Sequence, residues 1–345
     1  MRGGLIMDLK TIRTTARERM KGYCRVCPVC NGVACAGEVP GMGGVGTGSA
    51  FGENLKALAK HRLNMKTIHD VKSADTSFPL WGDTLTMPVL GAPMTGVVYN
   101  MGGQMSEPEF IEMLIGGALL AGTIGMIGDG ADPEIYNSGT ASIANHMGKG
   151  IPIIKPRHQD EILKRIRQAE EAGAIAVGID IDGAGLVTMA MKGQPVGPKT
   201  LRELSEIIKS TRLPFILKGI MTPVEADLAV EAGAAAIVVS NHGGRVLDHT
   251  PGVADVLSEI ADHVRGKVAI FADGGVRSGA DVLKLLALGA DGVLVGRPLA
   301  IGAFGGGSDG IAFLLKKMMN ELVQAMLLTA TADVKNVSRD IIYQY

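Results

Sequence analysis

Three short segments carry residues that could do chemistry together. They are Ser240-Asn241-His242-Gly243-Gly244-Arg245, Asp273-Gly274-Gly275-Val276-Arg277 and Gly296-Arg297-Pro298. Each closes a run of small or β-branched apolar residues, and each precedes a stretch that reads as helix. Paired glycines let backbone approach a phosphate closely, and arginine offers it a bidentate fork. His242 is then a candidate proton acceptor beside an anion site. Polar residues gathered at the C-terminal ends of consecutive parallel strands are where a βα-barrel builds its active site.

A second cluster stands apart from these. Cys24, Cys27, Cys30 and Cys35 are the chain's four cysteines, all within twelve positions. Structural zinc usually has two well-separated CxxC knuckles, so this spacing is too compact for it. Tight CxxCxxC followed closely by a fourth cysteine suits a cubane [4Fe-4S] cluster. The fit is incomplete, because the ferredoxin pattern has three residues before its last cysteine and a proline after it. Reduced or redox-switching thiols under a glycine-rich loop are the alternative.

The elements that must hold these residues follow from periodicity. Short all-apolar runs alternate with helical stretches, the pattern of a parallel sheet with crossover helices. Eight strands are expected, near residues 87–92, 122–127, 151–155, 174–182, 215–219, 236–240, 268–273 and 292–296. Eight such units predict an α/β fold, a (β/α)8 TIM barrel; a doubly wound open sheet is the runner-up. Residues 1–85 read as a helical, cysteine-rich extension packed on a barrel spanning 86–345. Gly305–Gly307 reads as a loop, and 309–331 as a long amphipathic helix. The glycines of 43–48 lack a preceding strand and make a poor nucleotide loop. The methionines at 189, 191, 318, 319 and 326 read as core filler. Histidines 61, 69, 146, 158, 249 and 263 read as surface or capping residues.

Bulk properties narrow the function. The chain has 345 residues, 46% of them hydrophobic, and a net charge of -1. That suits one large cytoplasmic enzyme domain with a substantial core. No basic stripe suggests a nucleic-acid partner, no apolar run of about 18 residues suggests a membrane span, and residues 1–10 lack a signal-peptide core.

From about residue 213 to 333, and more weakly from 51 to 182, the sequence resembles the FMN-dependent 2-hydroxy-acid oxidase and dehydrogenase family. The motifs SNHGGR, DGGVRSGADVLK and GRP carry the resemblance. It implies that Lys218 lies at the flavin N1/O2 edge, that His242 is the base and that Asp182 is its carboxylate partner. It further implies that Arg245 binds the substrate carboxylate and that Asp180 replaces a flavin-contacting threonine. Asp273, Gly275, Arg277, Gly296 and Arg297 would hold the FMN ribityl chain and phosphate. Lys155 and Ser240 are placed with the cofactor-binding set at their strand ends.

Three departures stand out. No arginine occurs in 183–192, where the family's second carboxylate-binding arginine would fall near Met189. The N-terminal substrate tyrosine is replaced by the cysteine and glycine segment, and the strand-three tyrosine has no counterpart in Ile153-Ile154-Lys155-Pro156. The loop at 183–199 is also short, so a smaller lid is expected.

The implied activity is oxidation of a small, lactate-like 2-hydroxy acid to the 2-oxo acid, with electrons passed to a carrier protein, in a homo-oligomer (tetramer or octamer). A flavin-dependent isomerase of the type 2 isopentenyl diphosphate isomerase kind is a second reading, counted against by SNHGGR. A non-catalytic flavin or iron–sulfur electron-transfer module is a third, counted against by the Lys218, His242, Arg245 set.

Overall fold

The computed structural model describes residues 7–343. Ten strands form two sheets. A hairpin, β1 (Phe78–Leu80) and β2 (Asp83–Leu85), turns at Trp81-Gly82, both at positive φ. The other eight strands close into one parallel barrel. They are β3 (Val89–Met94), β4 (Gly125–Gly128), β5 (Ile151–Ile154), β6 (Val177–Asp180), β7 (Phe215–Ile220), β8 (Ala236–Val239), β9 (Ala269–Ala272) and β10 (Gly292–Val295). All eight expected strands are present. Several begin later than expected, because the apolar residues leading into them belong to the turns below the barrel.

Strand side chains alternate between two faces, and this alternation produces two cores. Residues such as Leu90, Met126, Ile153, Ile216, Val238, Phe271 and Leu294 fill the barrel interior. Their neighbours, such as Ile154, Ile179, Leu217, Ile237 and Val293, face outward and pack with the surrounding helices. Phe78, Leu80 and Leu85 of the hairpin join the interior cluster and plug its lower end. The Phe78 and Trp81 rings meet Phe271 edge-on at 6.2 and 6.3 Å.

The inward parity continues past each strand and sets the upper layer. Lys155 follows Ile153 by two residues, Lys218 follows Ile216, Ser240 follows Val238, Asp273 follows Phe271 and Gly296 follows Leu294. Apolar layers therefore end in a polar one at the strand tips, where loops open the barrel.

The helix Arg297–Leu327 begins at the last of these tips. Gly306 and Gly307 break its helical geometry and kink it, where a loop was expected. By length and composition it could cross a membrane, yet its apolar window is 61% buried. That apolar surface packs on the helices Leu9–Arg19, Glu107–Leu120 and Gly279–Ala287. Of the methionines read as filler, Met318 and Met326 are buried in this packing, whereas Met191 is exposed.

Candidate active site

Strand register brings the charged residues together. Asp180 of β6 pairs in register with Lys218 of β7, and Ile154 pairs with Ile179, so Lys155 stands beside Asp180. One oxygen of Asp180 accepts from Lys218 Nζ at 3.1 Å and the other from Lys155 Nζ. Burial alone would raise the Asp180 carboxyl, but His242, Lys155 and Lys218 outweigh it and hold it well below the usual range. Lys218 is likewise held above the ordinary lysine range: burial opposes this, and Asp180, Asp182 and Asp273 prevail.

His242 sits just past β8 in a left-handed conformation (φ 57), pinned by two contacts. Ser240 Oγ accepts from the His242 backbone N–H at 3.0 Å and donates to Asp273 at 2.9 Å. His242 Nδ1 lies 3.0 Å from Asp182 Oδ1 and 3.5 Å from Asp180 Oδ1. Burial, with Lys218, Lys155 and Arg245 nearby, pushes the imidazole well below its usual pKa, against the pull of Asp180. Burial and the adjacent Asp180 push Asp182 well above the carboxylate range. The histidine is therefore neutral at rest. With Nδ1–H turned to Asp182, Nε2 is left to accept a proton. Asp180, Asp182 and His242 also cluster tightly enough to suggest a cation site. Lys155 and Lys218 already supply the positive charge that Asp180 needs.

These groups border a cavity of about 150 Å³ at the barrel mouth, lined among others by Lys155, Lys218, His242, Arg245, Asp273 and Arg277. Gly275, Gly296 and Arg297 line it as well. Two expected cofactor ligands do not: Ser240 and Asp180 are fully buried beneath it. Ser240 is spent on positioning His242 and Asp273, and Asp180 reaches the cavity only through the two lysines.

Three guanidiniums crowd one side. Arg297 donates to the carbonyls of Met42, Gly43 and Gly243 at 2.8–3.1 Å and lies over the Phe51 ring at 3.9 Å. Arg245 donates to Gly41 and Gly43 carbonyls and, at 2.9 Å, to Asn100 Oδ1. Burial and the proximity of Arg245 and Arg277 lower Arg297 to about 9, and burial lowers Arg245 to about 10. Arg277 Nε and Asp273 Oδ1 are buried with no hydrogen-bond partner. Mutually repelling cations and the orphaned Arg277 donor mark a place for an anion, and the orphaned Asp273 oxygen a place for a hydroxyl donor. Beside them the backbone is bare. Gly274 and Gly275 have positive φ, and a Cβ on either would come within 2.9 Å of Asn54. The donors, the glycine cradle and the adjacent lysine fit FMN: Arg277 and Arg297 suit its phosphate and Lys218 the N1/O2 edge of its ring, which leaves Arg245 for the substrate.

Some lining residues were not legible as site residues. Tyr99 and Asn100 come from the short helix Val97–Asn100 that follows β3, and burial raises the Tyr99 hydroxyl to about 12. Asp129, at the tip of β4, also lines the cavity and is fully buried against Arg157 at 2.8 Å. Its place at a strand end was the available signal; Tyr99 and Asn100 lie in a single helical turn with no motif. Met189, read as filler, forms part of the cavity wall where an arginine was missing.

The four cysteines are all unpaired thiols at intermediate exposure. They line a separate small cavity against Arg297.

Comparison with known proteins agrees with this geometry. Glycolate oxidase 1 of Oryza sativa is 31% identical over 333 residues, covering 84% of this chain and 86% of that protein. A 2-hydroxyacid oxidase of Dictyostelium discoideum is 30% identical over 324 residues, covering 84% and 81%. A crystal structure of mandelate oxidase with (S)-2-phenylpropionate superposes with a TM-score of 0.76 at 28% identity, covering 97% of this chain and 98% of that one. The profile of the FMN-dependent dehydrogenases matches residues 41–194 and 188–344, nearly the whole barrel and its closing helix, and the chain belongs to that family.

Proposed function

We propose that this protein oxidises a small, lactate-like 2-hydroxy carboxylate to the 2-oxo acid, with His242 as the base. The observation that carries this reading is a part-buried histidine, anchored through Nδ1 on Asp182 at 3.0 Å, bordering the cavity that Lys218 and Arg245 also line.

The residues divide the work as follows. Arg245 is the cation available to a substrate carboxylate, and its hydrogen bonds to the 41–43 loop fix its direction. His242 Nε2 takes a proton from the substrate, and the imidazolium that results is stabilised by the Asp180 carboxylate, while Asp182 holds Nδ1–H in place. Bound FMN supplies the two-electron acceptor. Lys218, which lines the cavity, would supply positive charge to a flavin bound there. Leu186, Met189 and Met42 line the cavity with apolar surface and favour a short aliphatic side chain over a charged one. The acceptor of the electrons is proposed to be a carrier protein, a reading supported by the cysteine loop beside the phosphate arginines.

Anaerobic mixing of the holoprotein with lactate, glycolate and mandelate tests the reading. Bleaching of the flavin absorbance with formation of the 2-oxo acid is expected for lactate or glycolate. A flavin that stays oxidised with all three overturns it, and isomerase chemistry without net redox then becomes the better account.

A further inference from the structure

The cysteine loop is absorbed by none of the chemistry above, yet it is elaborately held. Arg13 donates to the carbonyls of Val26 and Cys27, and Arg17 donates to those of Arg25 and Val26. Arg277 donates to the Cys30 carbonyl at 3.3 Å and reaches Cys30 Sγ at 3.4 Å. Val26 is buried and β-branched, yet adopts φ 44, which such residues avoid. In that conformation its N–H points at Cys24 Sγ, 3.4 Å away. Backbone strain of this kind persists only where the surroundings over-determine it. Here what it secures is the direction of a sulfur.

All four thiols line one enclosed space, closed by Met42, Ile301 and Arg297. The spacing of the sulfurs discriminates between metals. Four thiolates on one zinc, with bonds of about 2.3 Å, would stand roughly 3.8 Å apart. Among the described residues no three of these sulfurs lie within 4.8 Å of one another. A cluster of several irons spreads its thiolates wider and fills the space between them. Charge points the same way. Arg13, Arg17, Arg277 and Arg297 surround a loop whose own carboxylate, Glu38, is paired with Arg25 at 2.7 Å. The hydrogen bonds that these arginines make to the loop go to backbone carbonyls and to Cys30 Sγ. A thiolate-ligated cluster would give them a negative partner.

Position completes the argument. Arg277 and Arg297 line the flavin cavity and also border the thiols. On the outer side of the loop Val29 and Val33 are 68% and 77% exposed. The thiols therefore lie between the flavin phosphate site and the surface.

We propose that Cys24, Cys27, Cys30 and Cys35 bind one [4Fe-4S] cluster that drains the reduced flavin into a one-electron carrier protein. The electron count closes. One 2-hydroxy acid yields one 2-oxo acid, two protons released to solvent, and two electrons. These leave singly through the cluster and reduce two oxidised carriers. The electron path rests on the oxidation proposed above; the metal site does not.

The test uses full-length holoprotein prepared without oxygen and, if metal-poor, reconstituted with ferrous iron and sulfide. About four irons and four acid-labile sulfides per chain are expected, with a paramagnetic signal after reduction by dithionite. Cys27→Ala and Cys35→Ala should each lose iron and sulfide together while the yellow FMN spectrum, which reports the folded barrel, persists. Stoichiometric zinc without sulfide, or no metal after reconstitution, overturns the proposal. With lactate and oxidised cytochrome c, a one-electron acceptor of higher potential than the 2-hydroxy acid, the wild type should reduce the cytochrome, whereas Cys35→Ala should bleach its flavin yet leave the cytochrome oxidised. Equal cytochrome reduction by both would overturn the electron path. If lactate, glycolate and mandelate all fail to bleach the wild-type flavin, the substrate reading falls, while the iron and sulfide analysis still decides the cluster.

Discussion

At the scale of single residues, the site depends on one ring being neutral and two cations being fixed. Replacing His242 by Gln keeps much of the shape but removes the proton acceptor. Flavin content should be unchanged, and the rate of flavin reduction by substrate should fall about 10²–10⁴-fold, the usual weight of general base catalysis. The lowered pKa of His242 sets the sign of the pH dependence. An ordinary histidine gains its proton near pH 6.5; here the proton is refused until lower pH. The kcat/KM profile should therefore stay flat as pH falls through about 6.5 and lose activity only below it. Lys155→Met takes one repelling cation from the ring's surroundings, so its acid limb should move to higher pH; an unmoved limb would mean that Lys155 does not act on the base. Arg277→Ala removes a donor whose Nε has no partner in the protein itself. Titration of the apoprotein should show FMN binding weakened by about 1.5–3 kcal/mol, the scale of a hydrogen bond to a charged group.

At the scale of elements, the strands were legible because each is a buried apolar run ending in polar residues. The same parity that fills the barrel carries Lys155, Lys218, Ser240 and Asp273 into its upper layer. What a single sequence could not supply was register, since neighbours in the barrel are far apart in the chain. Register decides that Asp180 meets two lysines and not a cofactor, and that Ser240 is spent on Asp273. The hairpin floor escaped notice because strands of three residues carry too little periodicity to register. The Gly305–Gly307 stretch looked like a loop because glycine disfavours helix, yet tight packing on the Leu9–Arg19 helix keeps the chain helical up to the kink. One glycine joins elements that the site needs together. Gly244 has φ 77, and a Cβ there would strike the backbone of Phe51 in the helix Ser49–Lys60. Gly244→Ala should cost at least about 1–2 kcal/mol for the left-handed conformation alone. It should also make the 41–48 loop a preferred site of limited proteolysis, which comparison of cleavage rates would reveal.

At the scale of the whole molecule, the two ends of the barrel are separable. The lower end is closed by the hairpin residues Phe78 and Trp81, whose rings meet Phe271 one layer below Asp273. Phe78→Ala should lower stability by about 3–5 kcal/mol through the cavity it leaves, read as an earlier denaturation midpoint. The flavin spectrum and the rate of its reduction should remain those of the wild type; loss of both would show the floor and the mouth to be coupled. The upper end is not separable from the first part of the chain, because Arg245, Arg277 and Arg297 are the anchors of the 24–43 segment. Cys30 and the Arg277 that holds it are 247 positions apart in sequence. At roughly 5–20 residues per second of synthesis, the thiols leave the ribosome some 12–50 s before their anchor exists. During that interval they are open to oxidants and to stray metal ions alike, so the timing of translation, as much as the finished fold, governs what those sulfurs come to hold.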